Sequence, residues 1–390
     1  MRTALAWKNL THKPGKCALA ATGVGFAVLL MFMQIGFRNA LIDNNVQLFT
    51  LFDTRLVNLV MVSTARYNLS TEQRFPQRLL EQAASIPGVQ KTCAVNIERG
   101  TAKVMVSGYA PRPLRVIGIE LNEPSFFADR QLYEKLREAD GRQAALVDTR
   151  SKPAYGFATS PEPLRQQRIE LNRQALPVVE QFRLGTDFGN DGTLLMSVPL
   201  LEQYFPWRSP NGTVVDIGLL QVAARSTEEI EQIAARLEQL APTAIQVQRT
   251  EQFIRREQEF WASNTPIGKI FFMGTLMGLV VGAIICYQIQ FTDISEHLPE
   301  FATLKAMGYG PGYFWRLVLC QSFYLACLGF VPGWLVSLGL YSVLSASSGL
   351  VLQMSPERMG LVWLLTLIMC IVSGLFAIRK LFRSDPANLF

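Results

Sequence analysis

Few residues of this chain could do chemistry, and their spacing is poor for it. Glu228, Glu229 and Glu231 put three carboxylates within four positions, a density that could supply a general acid and base or a cation site. They follow Ser226, however, and Ser226 with Glu229 three residues later forms a capping box. Carboxylates in a first helical turn favour the positive end of the helix dipole, so this cluster reads as the solvated start of a helix. His12 and His297 are the only histidines and stand far apart, which argues against a histidine metal site. No Ser-His or Cys-His set exists in the middle of the chain. No G-x-x-x-x-G-K-[ST] occurs, so no P-loop binds ATP here. Asn68-Leu69-Ser70 and Asn211-Gly212-Thr213 match the glycosylation triplet, which chance often produces.

The elements around these residues explain why chemistry is scarce. The chain has 390 residues, 49% hydrophobic and 17% charged, which argues against a purely soluble protein. Four uncharged stretches approach or exceed the roughly 20 residues that span a bilayer. They are residues 18–37, 270–291, 317–344 and 360–378. The first starts too late and runs too far for a cleaved signal peptide, so it is expected to remain as an anchor. With no Asp, Glu, Lys or Arg deep in any of them, the spans do not resemble the ion path of a pump.

The net charge of +6 is confined to the membrane part, because residues 38–265 hold 26 basic and 26 acidic side chains. Arg2, Lys8, Lys13 and Lys16 precede the first span, Lys305 and Arg316 lie between the second and third, and Arg379, Lys380 and Arg383 follow the fourth. The positive-inside rule then predicts that residues 1–17, 295–312 and 379–390 are cytoplasmic and that residues 38–265 lie outside the cytoplasm. Bases that flank spans are not a nucleic-acid surface. Cys17, Cys286, Cys320, Cys327 and Cys370 lie in or beside spans, which leaves Cys93 alone in the exported region, without an intradomain disulfide partner. All six read as small apolar packing residues.

Residues 38–265 are too many for a loop and carry strand and helix periods of their own. Arg55–Ser63 reads as a strand. "RFPQRLLEQAASIPGVQKTCAV" reads as helix, Pro-Gly turn and strand, and "STEEIEQIAARLEQLAPTAIQVQRT" repeats that order. Strands are expected at "TAKVMVSGY", "LRVIGIEL", "TLLMSV" and "VDIGLLQVA". "RSKPAYGFATSPEPLRQQR" reads as a connection. The expected fold is four transmembrane helices plus an extracytoplasmic α/β (α+β) domain of two subdomains between helices 1 and 2. "RNALIDNNVQLFTLF" and "TEQFIRREQEFWASNTPIGKIFF" would continue the first and second spans outward as a helical stalk.

Two features of the membrane part stand out. Gly274, Gly278 and Gly282 recur every fourth residue and line one helix face for close packing, and Gly329 and Gly333 do so more weakly beside Pro332. Between the second and third spans, Pro299 suits the first position of a helix and Gly308 the position after its end. Leu298, Phe301, Leu304 and Met307 form an apolar stripe, with Glu300, Thr303 and Lys305 off it. A membrane-surface helix would carry more bases than this one, which has a single lysine with Glu296 and Glu300. A groove in a cytoplasmic partner is the better fit.

"EHLPEFATLKAMGY" resembles the cytoplasmic coupling segment of FtsX/MacB-type permeases. "LAWKNLTHKPGKCALAATGVGFAVLLMFMQIGF" resembles their N-terminal entry, and "RKLFRSDPANLF" their C-terminal tail. With "FWASNTPIG" and "YQIQFTDISEHL", the likeness runs closest to DevC-type permeases of cyanobacterial heterocyst glycolipid exporters. It covers essentially the whole chain and is weakest through residues 123–180. The resemblance implies a homodimeric, non-catalytic permease subunit with a MacB-like periplasmic domain, in contact with membrane lipids and no nucleic acid. A separate ABC ATPase subunit would bind the ATP, so this chain would need no cofactor or metal. A periplasmic membrane-fusion protein would link it to an outer-membrane channel. Glu296, His297, Leu298, Glu300, Phe301, Leu304, Lys305, Met307 and Gly308 then become the ATPase-coupling residues. His297 and Pro299 depart from the more acidic or basic helix start of many relatives. A lipoprotein-releasing or cell-division permease shares this fold; a membrane-anchored sensor would need a signalling domain inside.

Overall fold

The structure, a computed structural model, describes residues 14–383 apart from 188, 211, 225 and 353. The basic residues Arg2, Lys8 and Lys13, the second glycosylation triplet's Asn211 and the tail from residue 384 lie outside the described residues. So do the side chains of Lys16, Phe301, Lys305, Lys380 and Arg383. The chain divides into two compact units, residues 40–265 with 344–351, and the remainder.

The first unit is built on an eight-stranded mixed sheet. Its strands are β1 (Leu59–Ser63), β2 (Val89–Glu98), β3 (Arg115–Ile119), β4 (Ala145–Asp148), β5 (Val178–Phe182), β6 (Thr193–Ser197), β7 (Ile217–Val222) and β8 (Ile245–Arg249), in the order β5-β4-β6-β3-β2-β7-β1-β8. Only β5/β4 and β6/β3 pair in parallel. Strands β1, β3, β4, β6 and β7 are buried along their whole length, so both of their faces are covered and their apolar residues do not simply alternate with exposed polar ones. Both sheet edges are occupied. On β5, Arg165 Nε donates to the Val179 carbonyl at 2.8 Å and Lys135 Nζ to that of Gln181 at 3.4 Å. On β8, the Val247 N–H donates to Glu238 Oε1 at 2.9 Å. Such caps keep an edge from recruiting another strand.

The two helix-turn-strand repeats lie in this one sheet. Helix Gln77–Ala84 and helix Thr227–Glu238 share a core with β1, β7 and β8 through Leu79, Leu80, Ile233, Leu237, Ile245 and Val247. Ser226 Oγ accepts from the Glu229 N–H at 3.3 Å, as the capping box requires. The supposed connection at 150–168 instead holds a 3-10 turn, Pro153–Tyr155, and helix Pro161–Gln166. Pro153 and Pro161 start them, because proline is tolerated where a helix has no donor to lose. Residues 344–351, from between the third and fourth spans, belong to this unit. The Thr186 N–H donates to the Gly349 carbonyl at 3.4 Å. A Cβ on Gly349, at φ +72°, would stand 2.4 Å from the Arg150 oxygen, so only glycine fits.

The second unit is built on four helices long and apolar enough to cross a membrane, Pro14–Asn45, Pro266–Glu296, Pro311–Ser348 and Pro356–Arg383, of which residues 40–45 and 344–348 are counted in the first unit. The first helix does run on to Asn45. The approach to the second is interrupted: helix Thr250–Glu259 passes into a π-helical turn, Phe260–Asn264, and Thr265 is extended at φ −106°, ψ 153°. The cause is local, since Pro266 starts a new helix and excludes helical geometry from the residue before it. One of the two expected stalk continuations is therefore broken.

Candidate functional site

The segment after the second span folds as a short helix, Leu298–Ala306, with Pro299 in its first turn. His297 stands at the junction, its N–H donating to the Asp293 carbonyl at 3.2 Å. Its ring lies 3.1 Å from Glu300 Oε1 and 4.0 Å from Asp293 Oδ1. Gly308 has φ +92°, and the Tyr309 N–H reaches back to the Leu304 carbonyl at 3.2 Å. That is the Schellman way of closing a helix, and it requires a left-handed residue at Gly308. The stripe is divided in use. Leu304 packs against the chain's own Ile294, Phe314, Val318 and Ala377, whereas Met307 is 63% exposed and Glu300 and Glu296 face outward. Leu298 is half-buried.

The five glycines all border the first span. A Cβ on Gly274 would stand 2.5 Å from Gln34 Oε1, one on Gly278 3.6 Å from Leu30 Cβ, and one on Gly282 2.6 Å from Ala27 Cβ and 2.5 Å from Met369 Sδ. From the third span, Gly329 meets Val24 Cβ at 2.4 Å and Gly333 meets the Gly25 oxygen at 2.7 Å. The first span is thus approached closely on two sides, most tightly at Gly282, Gly329 and Gly333.

Two polar arrangements were not read from the sequence. Inside the helical unit, Gln290 Nε2 donates to the Cys370 carbonyl at 2.9 Å and Ser322 Oγ donates to Gln290 Oε1 at 2.7 Å. Gln321 donates to Asp293, which the longer second helix brings within it. Gly374 leaves the space that Gln290 and Ser322 fill. The signal was present in "YQIQF", where a glutamine interrupts an apolar run.

In the large domain, Asp216 is fully buried. It accepts from Arg66 at 3.1 Å, from the Ile97 N–H at 2.8 Å and from Arg208, which also donates to Glu98 at 2.8 Å. A second set joins Asp187 to Arg115 at 2.6 Å and Arg99 at 2.8 Å. Burial disfavours the Asp187 carboxylate, but Arg115 and Arg99 outweigh it and hold its pKa below the ordinary value. Burial lowers the Arg115 guanidinium, and Asp187 opposes it. Glu257, wholly buried, accepts from the Leu69 N–H at 3.0 Å. Burial pushes its pKa up against that bond and against Arg256, Arg66 and Arg99. Burial likewise pushes up the Cys93 thiol. These sets pair charge with charge and present no free nucleophile beside a base, and the described residues include no group of three or more His, Cys, Asp or Glu able to hold a metal.

The architecture is that of a multi-pass membrane protein with a mixed α/β domain between its first and second spans. Residues 272–386 match the FtsX-like permease C-terminal family. Among solved structures, the periplasmic region of MacB from Actinobacillus actinomycetemcomitans aligns at 9% identity over 51% of this chain and 91% of its own, with TM-score 0.37. The extracellular domain of the noncanonic ABC-type transporter YknZ from Gram-positive bacteria aligns at 12% identity over 49% and 98%, TM-score 0.33. A domain of a putative permease protein from Porphyromonas gingivalis aligns at 11% over 51% and 90%, TM-score 0.29. No curated protein sequence matches the chain.

Proposed function

We propose that this chain is the transmembrane subunit of a tripartite ABC exporter of the DevC type and works as a homodimer. A separate ATPase binds and hydrolyses ATP. Its movement enters through Glu296 to Gly308 and is relayed by the spans to the large domain. That domain lies in the periplasm, with both chain termini in the cytoplasm, and engages a membrane-fusion protein that leads to an outer-membrane channel. The cargo is amphiphilic, of glycolipid type. The observation that carries this reading is the short helix closed by Gly308 between two spans, inside the stretch that matches the FtsX-like family. Its outward side shows Glu296, Glu300 and Met307, which suits a protein groove better than a lipid surface. The uncharged spans and the scarcity of reactive groups fit a relay of motion.

The test is co-purification of the ATPase, and its ATP turnover in the assembled complex, for Phe301→Asp and Gly308→Val beside Thr303→Ser. Burying a phenylalanine contributes on the order of 1.5–3 kcal/mol, so Phe301→Asp is expected to weaken partner binding about tenfold or more. Valine at a left-handed position deforms the helix end, and Gly308→Val is expected to uncouple turnover from export. Normal binding and export in both variants would remove the coupling role.

A further inference from the structure

Between the second and fourth spans runs a groove of about 620 Å³, with Val280, Ala283, Ile284 and Tyr287 on one wall and Val372, Ser373, Phe376 and Arg379 on the other. Its shape follows from residue size. Ser373 Oγ donates to the Ala283 carbonyl at 2.8 Å, so the two helices approach closely at small residues. The larger Ile284, Val372 and Phe376 stand out on either side, 53%, 41% and 60% exposed. Each wall covers eight residues, a rise of about 10 Å along the helix. The two helices run parallel, since Gly282 abuts Met369 and Gln290 abuts Gly374. Tyr287 and Arg379 therefore share one end of the groove. Arg379 is exposed, and no described carboxylate pairs with it.

We infer that this groove is a binding site for an anionic phospholipid, its acyl chain lying between Val280, Ile284, Val372 and Phe376 and its phosphate on the Arg379 guanidinium. The argument is charge and depth. The groove walls are apolar and lie within helices of membrane-spanning length, where a hydrocarbon chain is the natural filling. The one charge at the groove is positive and sits where the fourth span leaves its apolar stretch. A basic group at the end of a cleft between transmembrane helices selects anionic headgroups, and a guanidinium matches phosphate with two parallel N–H donors. The site requires only that these helices lie in a bilayer, so it stands independently of the exporter reading.

The full chain, with any subunits that co-purify, is extracted in mild detergent, and the phosphatidylglycerol and phosphatidylethanolamine retained per chain are counted by native mass spectrometry. Arg379→Gln is compared with Arg379→Lys and with Lys269→Gln, which removes an exposed charge from the other end of the second span. Wild type, Arg379→Lys and Lys269→Gln should retain phosphatidylglycerol, and Arg379→Gln should retain about fivefold less, the effect of one base near an anionic lipid. Equal retention of both lipids by wild type, or no change in Arg379→Gln, would mean that only bulk lipid lines the groove. Disulfide-linked dimers of Ile284→Cys in intact membranes would mean that a second copy fills it. Either result overturns the assignment.

Discussion

Replacing Gly333 with alanine sets a methyl carbon 2.7 Å from the Gly25 carbonyl oxygen and 2.9 Å from Val28 Cβ. Comfortable C–H···O contacts begin at about 3.3 Å, so the first and third helices would have to part locally by about 0.6 Å. What blocks the methyl is backbone and the stem of a β-branched side chain, and neither can swing aside. Overpacking of this kind costs about 1–3 kcal/mol. The same change at Gly278 meets Leu30 Cβ at 3.6 Å and Met31 Cγ at 3.8 Å, ordinary contacts, and should cost almost nothing. The measurement is the heating midpoint at which the full chain in detergent loses monodispersity. At about 2–4 °C per kcal/mol for proteins of 150–250 residues, Gly333→Ala should fall by about 2–12 °C while Gly278→Ala stays within about 1 °C. Equal midpoints for the two variants, or a larger loss at Gly278, would refute the assignment of the tight crossing to Gly25 and Gly333.

Asp216→Ala should strand the Arg66 and Arg208 guanidiniums without their shared partner, at about 3–5 kcal/mol; hydrogen exchange at the Ile97 amide should accelerate by about 10²–10⁴-fold, and unchanged protection would show that the network adds no local stability. Glu257 is held above the ordinary glutamate value of 4.5 by burial, so the folded chain keeps that proton to higher pH than the unfolded one, and the stability linked to it is full below 4.5 and lost as pH rises through the raised pKa. Glu257→Gln should therefore gain on wild type in thermal midpoint as pH rises from below 4.5 to neutrality, and a difference that does not vary with pH would exclude this titration.

Elements set by local chemistry were legible in the sequence. The four apolar helices follow from length and hydropathy, and the Ser226 cap and the Gly308 stop follow from residues with one favoured backbone role. The glycine spacing identified a packing face but not its depth. Gly278, the middle of the triple, is the loosest of the three, because tightness depends on which residues of the first span lie opposite. The Asp216 network was hidden for the same reason. Arg66, Glu98 and the nearby pair Arg208 and Asp216 come from three separate parts of the chain and meet only when β2, β7 and their connections close, and each alone looks like a surface charge. Residues 123–180 were the least legible. Helix Arg130–Gly141 is amphipathic but strongly polar, and the strands beside it are short.

The grip on the first span also sets a timetable. Val24, Gly25 and Val28 are made early, whereas Gly329 and Gly333, the residues they pack against, are synthesised roughly 300 positions later. At about 5–20 residues per second, that face has no native neighbour for roughly 15–60 s of translation. During that interval a glycine-bearing helix with nothing against it is open to wrong pairing, including with the same helix of another nascent chain. Successful biogenesis therefore depends on how quickly the third span reaches the first, so overexpression, which crowds nascent chains together, should harm this protein through its first forty residues before any defect arises in the large domain.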